Sequence, residues 1–204
     1  MDFLAAKPYV NKGMSDFRDT GILPNLALDR GINPYDLVAY HDFAPHAQYF
    51  NPYAPWWLSV TRPLSSFAWD QATLIWACVL GALVVLAGVV GGRELASRFS
   101  VAWWVTVPWC VVLLWLWRPV ALANGLGNIG AVVAIAAGLS LIVRSRWLGA
   151  LLVAVAWIKP QYGIPLAVIM MIIPSLRFRY LIGTSLAIVA SLPEVVRLAD
   201  AAGG

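Results

Sequence analysis

Lys159 occupies a position where a charge is costly and is therefore expected to be useful. It lies in the apolar run LGALLVAVAWIKPQYGIPLAVIMM, from Leu148 to Met171, where an ammonium group finds almost no solvation. Pro160 follows it, and a proline breaks or kinks a helix because it has no backbone N–H to donate. Broken membrane helices often line polar cavities, so a functional role is one interpretation. The alternative is that Lys159 extends to a nearby interface while Pro160 only bends the helix.

The other residues suited to chemistry lie in the polar N-terminal part of the chain. They form three short runs, which are Ser15 to Asp19 (SDFRD), Gly31 to Asp36 (GINPYD) and Asn51 to Trp57 (NPYAPWW). Carboxylates, an amide and tyrosines beside turn-forming prolines are side chains that can bind or deprotonate a polar substrate.

The composition defines the broad class. Hydrophobic residues make up 61% of the chain, charged residues 12%, and the mean hydropathy is +0.75, which together predict an all-α, polytopic integral membrane protein. The net charge of +4 does not indicate nucleic-acid binding, because the arginines stand singly or in pairs at the ends of apolar segments. Cys78 and Cys110 both lie in apolar segments and are expected to be buried hydrophobic residues.

The chain divides at one boundary. Residues 1–70 are polar and rich in proline and aromatic residues, and residues 71–204 are membrane-like. A membrane span needs about 20 apolar residues. The candidate spans are Gln71 to Val90, Val101 to Trp117, Leu126 to Val143 and the shorter Tyr180 to Leu192. An interrupted stretch, Leu148 to Ile173, lies between the last two.

Arginines predict the orientation of these segments. Three pairs follow the first span, the third span and the interrupted stretch; they are Arg93 and Arg98, Arg144 and Arg146, and Arg177 and Arg179. The positive-inside rule places them in the cytoplasm of a bacterial plasma membrane. The interrupted stretch must then enter and return as two half-helices that meet near Lys159, Pro160 and Gln161. Residues 1–70 are correspondingly predicted to be an outer, periplasmic or extracellular loop region.

Export of that outer region requires a signal. None is visible before the first hydrophobic segment, so we expect the chain to be a fragment or its start to be assigned too late.

The order of several short motifs resembles a known family. An acidic Asp16-Phe17 pair is followed by the G-x-x-P-Y-D turn of residues 31–36, by Tyr53-Ala54-Pro55 and, further along, by Lys159-Pro160. Residues 125–128 (GLGN) are similar to a G-Q-x-N element, with Leu126 in place of glutamine. Together they resemble the GT-C membrane glycosyltransferases, in particular the bacterial polyprenyl-phosphate-mannose-dependent α-(1→2)-mannosyltransferase-like proteins.

The resemblance implies roles for individual residues. Asp16 corresponds to the general base, with Asp19 as a substitute or partner about one helical turn further on. Lys159 would bind the donor phosphate. Asn128 and Gln161 would contact substrate.

Tyr35 and Tyr53 match the loop motifs of the same family. They would shape the loop and contact substrate. A solvated surface role remains the alternative for both aspartates.

A glycine pattern, Gly125-x-Gly127-x-x-Gly130, fits a dinucleotide-binding motif. However, the glycines open an alanine-rich apolar segment, and no β-strand is predicted before them. Close helix packing is therefore the better explanation.

A possible metal site is suggested by His41, Asp42 and His46, which lie together in the sequence. Pro45 prevents one regular helix from presenting both histidines, so we expect an interfacial loop and no metal site.

The functional prediction from sequence is a GT-C-type enzyme with a broken or re-entrant helix pair at Lys159-Pro160. It would transfer a sugar, mannose by the resemblance, from a polyprenyl-phosphate donor to a glycan or glycolipid acceptor. No cofactor, metal or nucleic acid is expected. The alternatives are a non-catalytic membrane subunit that assembles with a partner, a truncated remnant of such an enzyme, and a small transporter that uses Lys159 as a counter-ion.

Overall fold

The computed structural model describes residues 14–47 and 51–203, and its regular elements in that part of the chain are all helical. The described residues before the first long helix form short helical segments. They are α1 (Ser15–Phe17), a π-helical turn (Arg18–Ile22), α2 (Leu23–Leu28), α3 (Leu37–Phe43), α4 (Trp56–Thr61) and a 3-10 turn (Arg62–Ser66). The apolar part comprises α5 (Trp69–Phe99), α6 (Trp103–Leu116), α7 (Arg118–Leu126), α8 (Gly130–Ile142), α9 (Arg146–Ala156), α10 (Pro160–Ile172), a 3-10 turn (Pro174–Leu176) and α11 (Arg177–Gly203).

The short N-terminal helices form because local signals favour them over an open loop. Asp36 caps α3, and one of its carboxylate oxygens accepts hydrogen bonds from the backbone N–H groups of Val38 and Ala39, at 3.0 and 3.1 Å. These helices share their core with the apolar part. Phe17 stacks on Trp76 of α5 with ring centroids 5.1 Å apart, and Trp57 meets the same indole edge-on at 5.4 Å. Aromatic packing therefore fixes residues 14–47 and 51–66 onto one end of the long helices.

Two helices of the described chain are long and apolar enough to cross a membrane, namely α5 and the segment 174–202 that contains α11. The pair α6 and α7 adds a third if it counts as one span, although it bends by 61°. The sequence suggested four candidate spans, the last of them short, which is more than the described helices provide. The predicted span Leu126 to Val143 is divided, because Gly127 adopts a positive φ and ends α7, leaving α8 only 13 residues long. The predicted short last span is instead the 27-residue α11.

Glycines allow the closest packing between α5 and α6. A Cβ atom at Gly88 would lie 2.8 Å from the Cα atom of Val111, and one at Gly92 would lie 2.6 Å from that of Val107. The hydroxyl of Thr106 donates to the Gly92 carbonyl at 2.9 Å. Small residues thus let the two backbones approach as they do in packed membrane helices.

The predicted break at Lys159-Pro160 is present. α9 ends at Ala156, Lys159 has an extended backbone, and Pro160 begins α10. The start of α9 lies beside the start of α11, where the rings of Trp147 and Phe178 meet edge-on with centroids 5.2 Å apart. Because α9 and α11 begin at the same end, α10 must run back from the Lys159 turn toward that end. Residues 146–172 therefore form a helical hairpin whose turn carries Lys159.

The paired arginines lie together at the other end of the bundle. The Arg98 side chain donates to the Ile142 carbonyl at 2.6 Å, Arg144 donates to the Ser97 carbonyl at 3.2 Å, and Arg179 donates to the Ser140 carbonyl at 2.8 Å. We call the six residues of this group the arginine end; they are Arg93, Arg98, Arg144, Arg146, Arg177 and Arg179. Lys159 and residues 14–47 and 51–66 lie at the opposite end.

The α5–α6 contact predicts how two glycine substitutions differ. Gly88→Ala should lower the free energy of unfolding by about 1–3 kcal/mol, because its methyl group would overlap the backbone of Val111. Gly81→Ala is the matched control on the same helix, since its Cβ would meet only Trp115 at ordinary contact distances of 3.6–3.7 Å. Thermal unfolding of the protein in detergent micelles measures both. Equal melting temperatures for the two variants would contradict the packing described.

Candidate functional site

The turn between α7 and α8 forms one wall of a polar site. Gly127 ends α7 with a φ of 70°, and its carbonyl accepts a hydrogen bond from the indole N–H of Trp76 at 2.9 Å. The backbone N–H of Met14 donates to the Gly125 carbonyl at 2.9 Å. A Cβ at Gly127 would lie 2.8 Å from the Cβ of Phe17, so only glycine lets α1 pack this closely. The result is that Asp16 lies directly over Asn128.

Asn128 is the centre of the site. Its side-chain amide donates from Nδ2 to Oδ2 of Asp16 at 2.5 Å. Its Oδ1 accepts from Nζ of Lys159 at 3.0 Å and from the backbone N–H of Gly130 at 2.6 Å. One neutral amide therefore connects a carboxylate and an ammonium group, which are 112 and 31 residues away from it in sequence. We call Asp16, Asn128 and Lys159 the bridged triad.

Lys159 is held at the turn of the helical hairpin. Only 8% of its surface is exposed. Its carbonyl accepts from the backbone N–H of Tyr162 at 2.9 Å, and the preceding carbonyl, of Ile158, accepts from the N–H of Ala54 at the same distance. Nζ also lies 4.7 Å from the ring centroid of Tyr53, within range of a cation–π interaction. The helix break therefore positions an ammonium group that donates to Asn128 and lies over one aromatic ring.

Two tyrosines support that cation. The phenol of Tyr53 is 3.4 Å from Oδ1 of Asn128, a long contact, and Tyr35 donates its phenol proton to the Tyr53 carbonyl at 2.9 Å. Burial raises the pKa of Tyr53, and the nearby Asp16 carboxylate adds to the effect, so the phenol remains a neutral hydrogen-bond donor. Tyr53 thus belongs to the site directly, and Tyr35 holds the backbone of Tyr53.

The remaining predicted site residues are placed differently. Asp19 forms an ion pair with Arg18, with 2.6 Å between Oδ1 and Nε, and its carbonyl accepts from the phenol of Tyr40 at 3.1 Å. Gln161 is exposed in the first turn of α10, next to the Lys159 turn. The structure brings Asp16, Lys159 and Tyr53 each into contact with Asn128, and Tyr35 contacts the backbone of Tyr53.

Sequence reasoning did not foresee two contacts of the site. The stacking of Lys159 on Tyr53 joins residues that no local pattern relates, and the role of Gly127 in seating α1 depends on its positive φ. A glycine directly before Asn128 was the available signal for the second of these, because glycine often ends helices.

An apolar groove of about 370 Å³ adjoins the site. It runs between the start of α4, the end of α9 and one face of α11. Its lining includes Ala54 and Pro55, next to Tyr53, and Trp157, two residues before Lys159. On the far side it is bounded by Ala187, Ile188 and Leu192 of α11. The bridged triad thus has an apolar surface close to it.

The rejected motifs can also be located. Gly125 lies in α7 and Gly130 begins α8, so helices flank the glycine pattern on both sides. His41 lies in α3 and His46 just beyond its end. Within residues 14–47 and 51–203, no three His, Cys, Asp or Glu side chains come together in a way that would hold a metal ion.

The fold and the site define the class of protein. Over residues 14–47 and 51–203 the chain is helical, with two helices able to cross a membrane, or three if the bent pair is one span, and with a polar triad at one end of those helices. No protein-family model, curated protein or solved structure matches the chain. Its function must therefore be argued from its own residues.

The turn at Gly127 predicts a sharp difference between two neighbouring glycines. Gly127→Ala should lower the free energy of unfolding by about 1–3 kcal/mol, because alanine is strained at positive φ and its methyl group would overlap Met14 and Phe17. Gly125→Ala is the matched control, since a Cβ there meets no atom within 4 Å. Denaturant unfolding in micelles measures both. A Gly127→Ala protein as stable as the control would show that α1 does not pack on this turn.

Proposed function

We propose that this protein is a membrane glycosyltransferase that transfers a sugar, mannose by the family resemblance, from a polyprenyl-phosphate donor to a hydroxyl of a glycan or glycolipid. The observation that carries the proposal is the bridged triad. Asn128 holds a carboxylate and an ammonium group on either side of one amide, at a break between apolar helices. Transfer from a lipid phosphate needs these two charges in separate roles, as base and as phosphate ligand.

Asp16 is the proposed general base. Its Oδ2 is occupied by Asn128, and its Oδ1 makes no hydrogen bond to another described residue. Oδ1 would take the proton of the acceptor hydroxyl as the hydroxyl oxygen attacks the anomeric carbon. A new carbon–oxygen bond forms there while the bond to the phosphate oxygen breaks, and the polyprenyl phosphate leaves with that electron pair. Direct displacement of this kind inverts the anomeric carbon.

Lys159 is the proposed phosphate ligand. A buried ammonium group is stable only when it is paired, and its polar partners among the described residues are neutral groups. A phosphate monoester brought next to Nζ would provide the missing negative charge. The same cation would offset the charge that develops on the departing phosphate, which is how a fixed charge lowers a transition-state energy.

The groove beside the site is suited to the carrier lipid. Its walls are mostly apolar and are formed by the start of α4, by Trp157 just after α9, and by α11, which also contributes the hydroxyl groups of Thr184 and Ser191. The indole N–H of Trp56, also in the lining, has no hydrogen-bond partner in the described structure. A polyprenyl chain in this groove would have its phosphate next to Tyr53 and Lys159. Burial of the apolar chain would then supply binding affinity, and the contact between Lys159 and the phosphate would fix the position of the lipid along the groove.

The same proposal includes the setting of the enzyme. Polyprenyl-phosphate sugars are membrane lipids, so the protein would be integral to a bacterial plasma membrane and would belong to the polytopic GT-C type. The arginine end would face the cytoplasm by the positive-inside rule, and residues 14–66 with the bridged triad would face outward.

Replacement of the base tests the proposal. Asp16→Asn should reduce sugar transfer by about 10²–10⁴-fold, because the amide cannot accept the acceptor's proton. The assay uses the purified protein in micelles, a short-chain polyprenyl-phosphate mannose as donor and an α-mannoside as acceptor. Donor and product are separated by chromatography, and the product's anomeric configuration is read by NMR.

Asp42→Asn is the matched control, because Asp42 is an exposed aspartate in α3 and the bridged triad does not include it. It should transfer at the normal rate. If Asp16→Asn also transfers normally and inverts the sugar, Asp16 is not the base. If the wild-type protein alone transfers nothing under any donor tested, the non-catalytic subunit becomes the better interpretation.

A further inference from the structure

Charge is distributed unequally between the two ends of the molecule. The arginine end gathers six guanidinium groups from α5, the start of α9, α11 and the α8–α9 connection. Among the described residues, Glu94 is the one carboxylate located there, and its Oε1 accepts from the backbone N–H of Arg144 at 3.1 Å. Six guanidinium groups against one carboxylate leave the arginine end with a net positive charge. Like charges gathered at one end of a molecule repel one another, and an external anion would relieve that repulsion.

Two of these arginines are not used by the protein's own hydrogen bonds. Arg98, Arg144, Arg177 and Arg179 each donate to a backbone carbonyl. Arg93 and Arg146, in the part of the chain that the structure describes, contact only aromatic rings with their guanidinium groups. Arg93 lies 5.8 Å from the ring centroid of Trp103, and Arg146 lies 5.1 Å from that of Phe178. Their N–H donors remain available.

A cavity of about 410 Å³ opens beside Arg93. Its lining combines one guanidinium, the Ser97 hydroxyl and the indole of Trp103 with the small apolar side chains of Ala96, Val101 and Ala102. Trp103 is 58% exposed, and its neighbour Trp104 is 67% exposed. Exposed indoles at the ends of apolar helices are typical of the layer where lipid headgroups meet acyl chains.

We propose that the arginine end binds the headgroups of anionic phospholipids, and that the cavity between Arg93 and Trp103 seats one such headgroup. The lining favours a lipid over free phosphate. A soluble anion would be bound by several converging donors, whereas this cavity offers one guanidinium beside an apolar wall that fits a glycerol backbone and the first acyl carbons. Arg146, at the start of α9, provides a second contact for the same lipid layer.

Competition between two lipids tests this proposal, which does not depend on the proposed enzyme activity. The protein in micelles is mixed with equal amounts of phosphatidylglycerol and phosphatidylcholine that carry the same acyl chains. Native mass spectrometry then counts the bound lipids. We expect the wild type to retain the anionic lipid preferentially. The double substitution Arg93→Gln with Arg146→Gln should lower that preference at least about fivefold, the contribution typical of one arginine near an anionic surface.

Two control variants make the result specific. Arg62→Gln removes an exposed arginine at the opposite end and should leave the preference unchanged. Arg93→Lys with Arg146→Lys keeps the charges and should retain most of it. Equal binding of both lipids by the wild type, or an unchanged preference in the glutamine variant, would overturn the proposal. Displacement of the bound lipid by inorganic phosphate would assign the cavity to a soluble anion instead.

Discussion

The two hydrogen bonds that the Asn128 side chain makes in opposite directions are the contacts on which the candidate site depends. Its N–H group satisfies a carboxylate and its carbonyl satisfies an ammonium group. A direct ion pair between Asp16 and Lys159 would leave each charge neutralised by the other. The amide instead lies between the two charged groups, so that each remains available to a ligand. Its hydrogen bond to Lys159 also offsets part of the desolvation free energy of burying the ammonium group.

Much of the surrounding fold positions this bridge. The helical hairpin of residues 146–172 turns at Lys159, and Pro160 prevents α9 from continuing into α10. Gly127 ends α7 in a conformation that brings α1 against the same turn. Trp76, on the long helix α5, bonds to the Gly127 carbonyl and stacks on Phe17, which connects the site to the apolar bundle. These contacts join the ends of α1, α7 and α10 at the site.

Part of this arrangement could be predicted from the sequence. Proline after a buried lysine predicts a helix break by local sterics, and the arginine pairs predict which ends of the helices lie together. The division of the third predicted span and the short helices of residues 14–66 could not be predicted, because hydropathy does not register a positive φ at Gly127 or a cap at Asp36. The GLGN run departs from the G-Q-x-N element that it resembles, yet its asparagine lies at the centre of the candidate site. Contacts across 112 residues follow from packing and not from local pattern.

The central claim is that Lys159 is a phosphate ligand held ready by Asn128, and binding without chemistry tests it most directly. The measurement is the affinity of a short-chain polyprenyl monophosphate for the protein in micelles, followed by tryptophan fluorescence, with the corresponding polyprenyl alcohol as the reference ligand. The account predicts that the wild type binds the phosphate more tightly than the alcohol. In Lys159→Gln the ratio of the affinity for the phosphate to the affinity for the alcohol should fall at least about tenfold. In Asp16→Asn this ratio should stay unchanged. Equal binding of phosphate and alcohol by the wild type, or an unchanged difference in Lys159→Gln, would contradict the account.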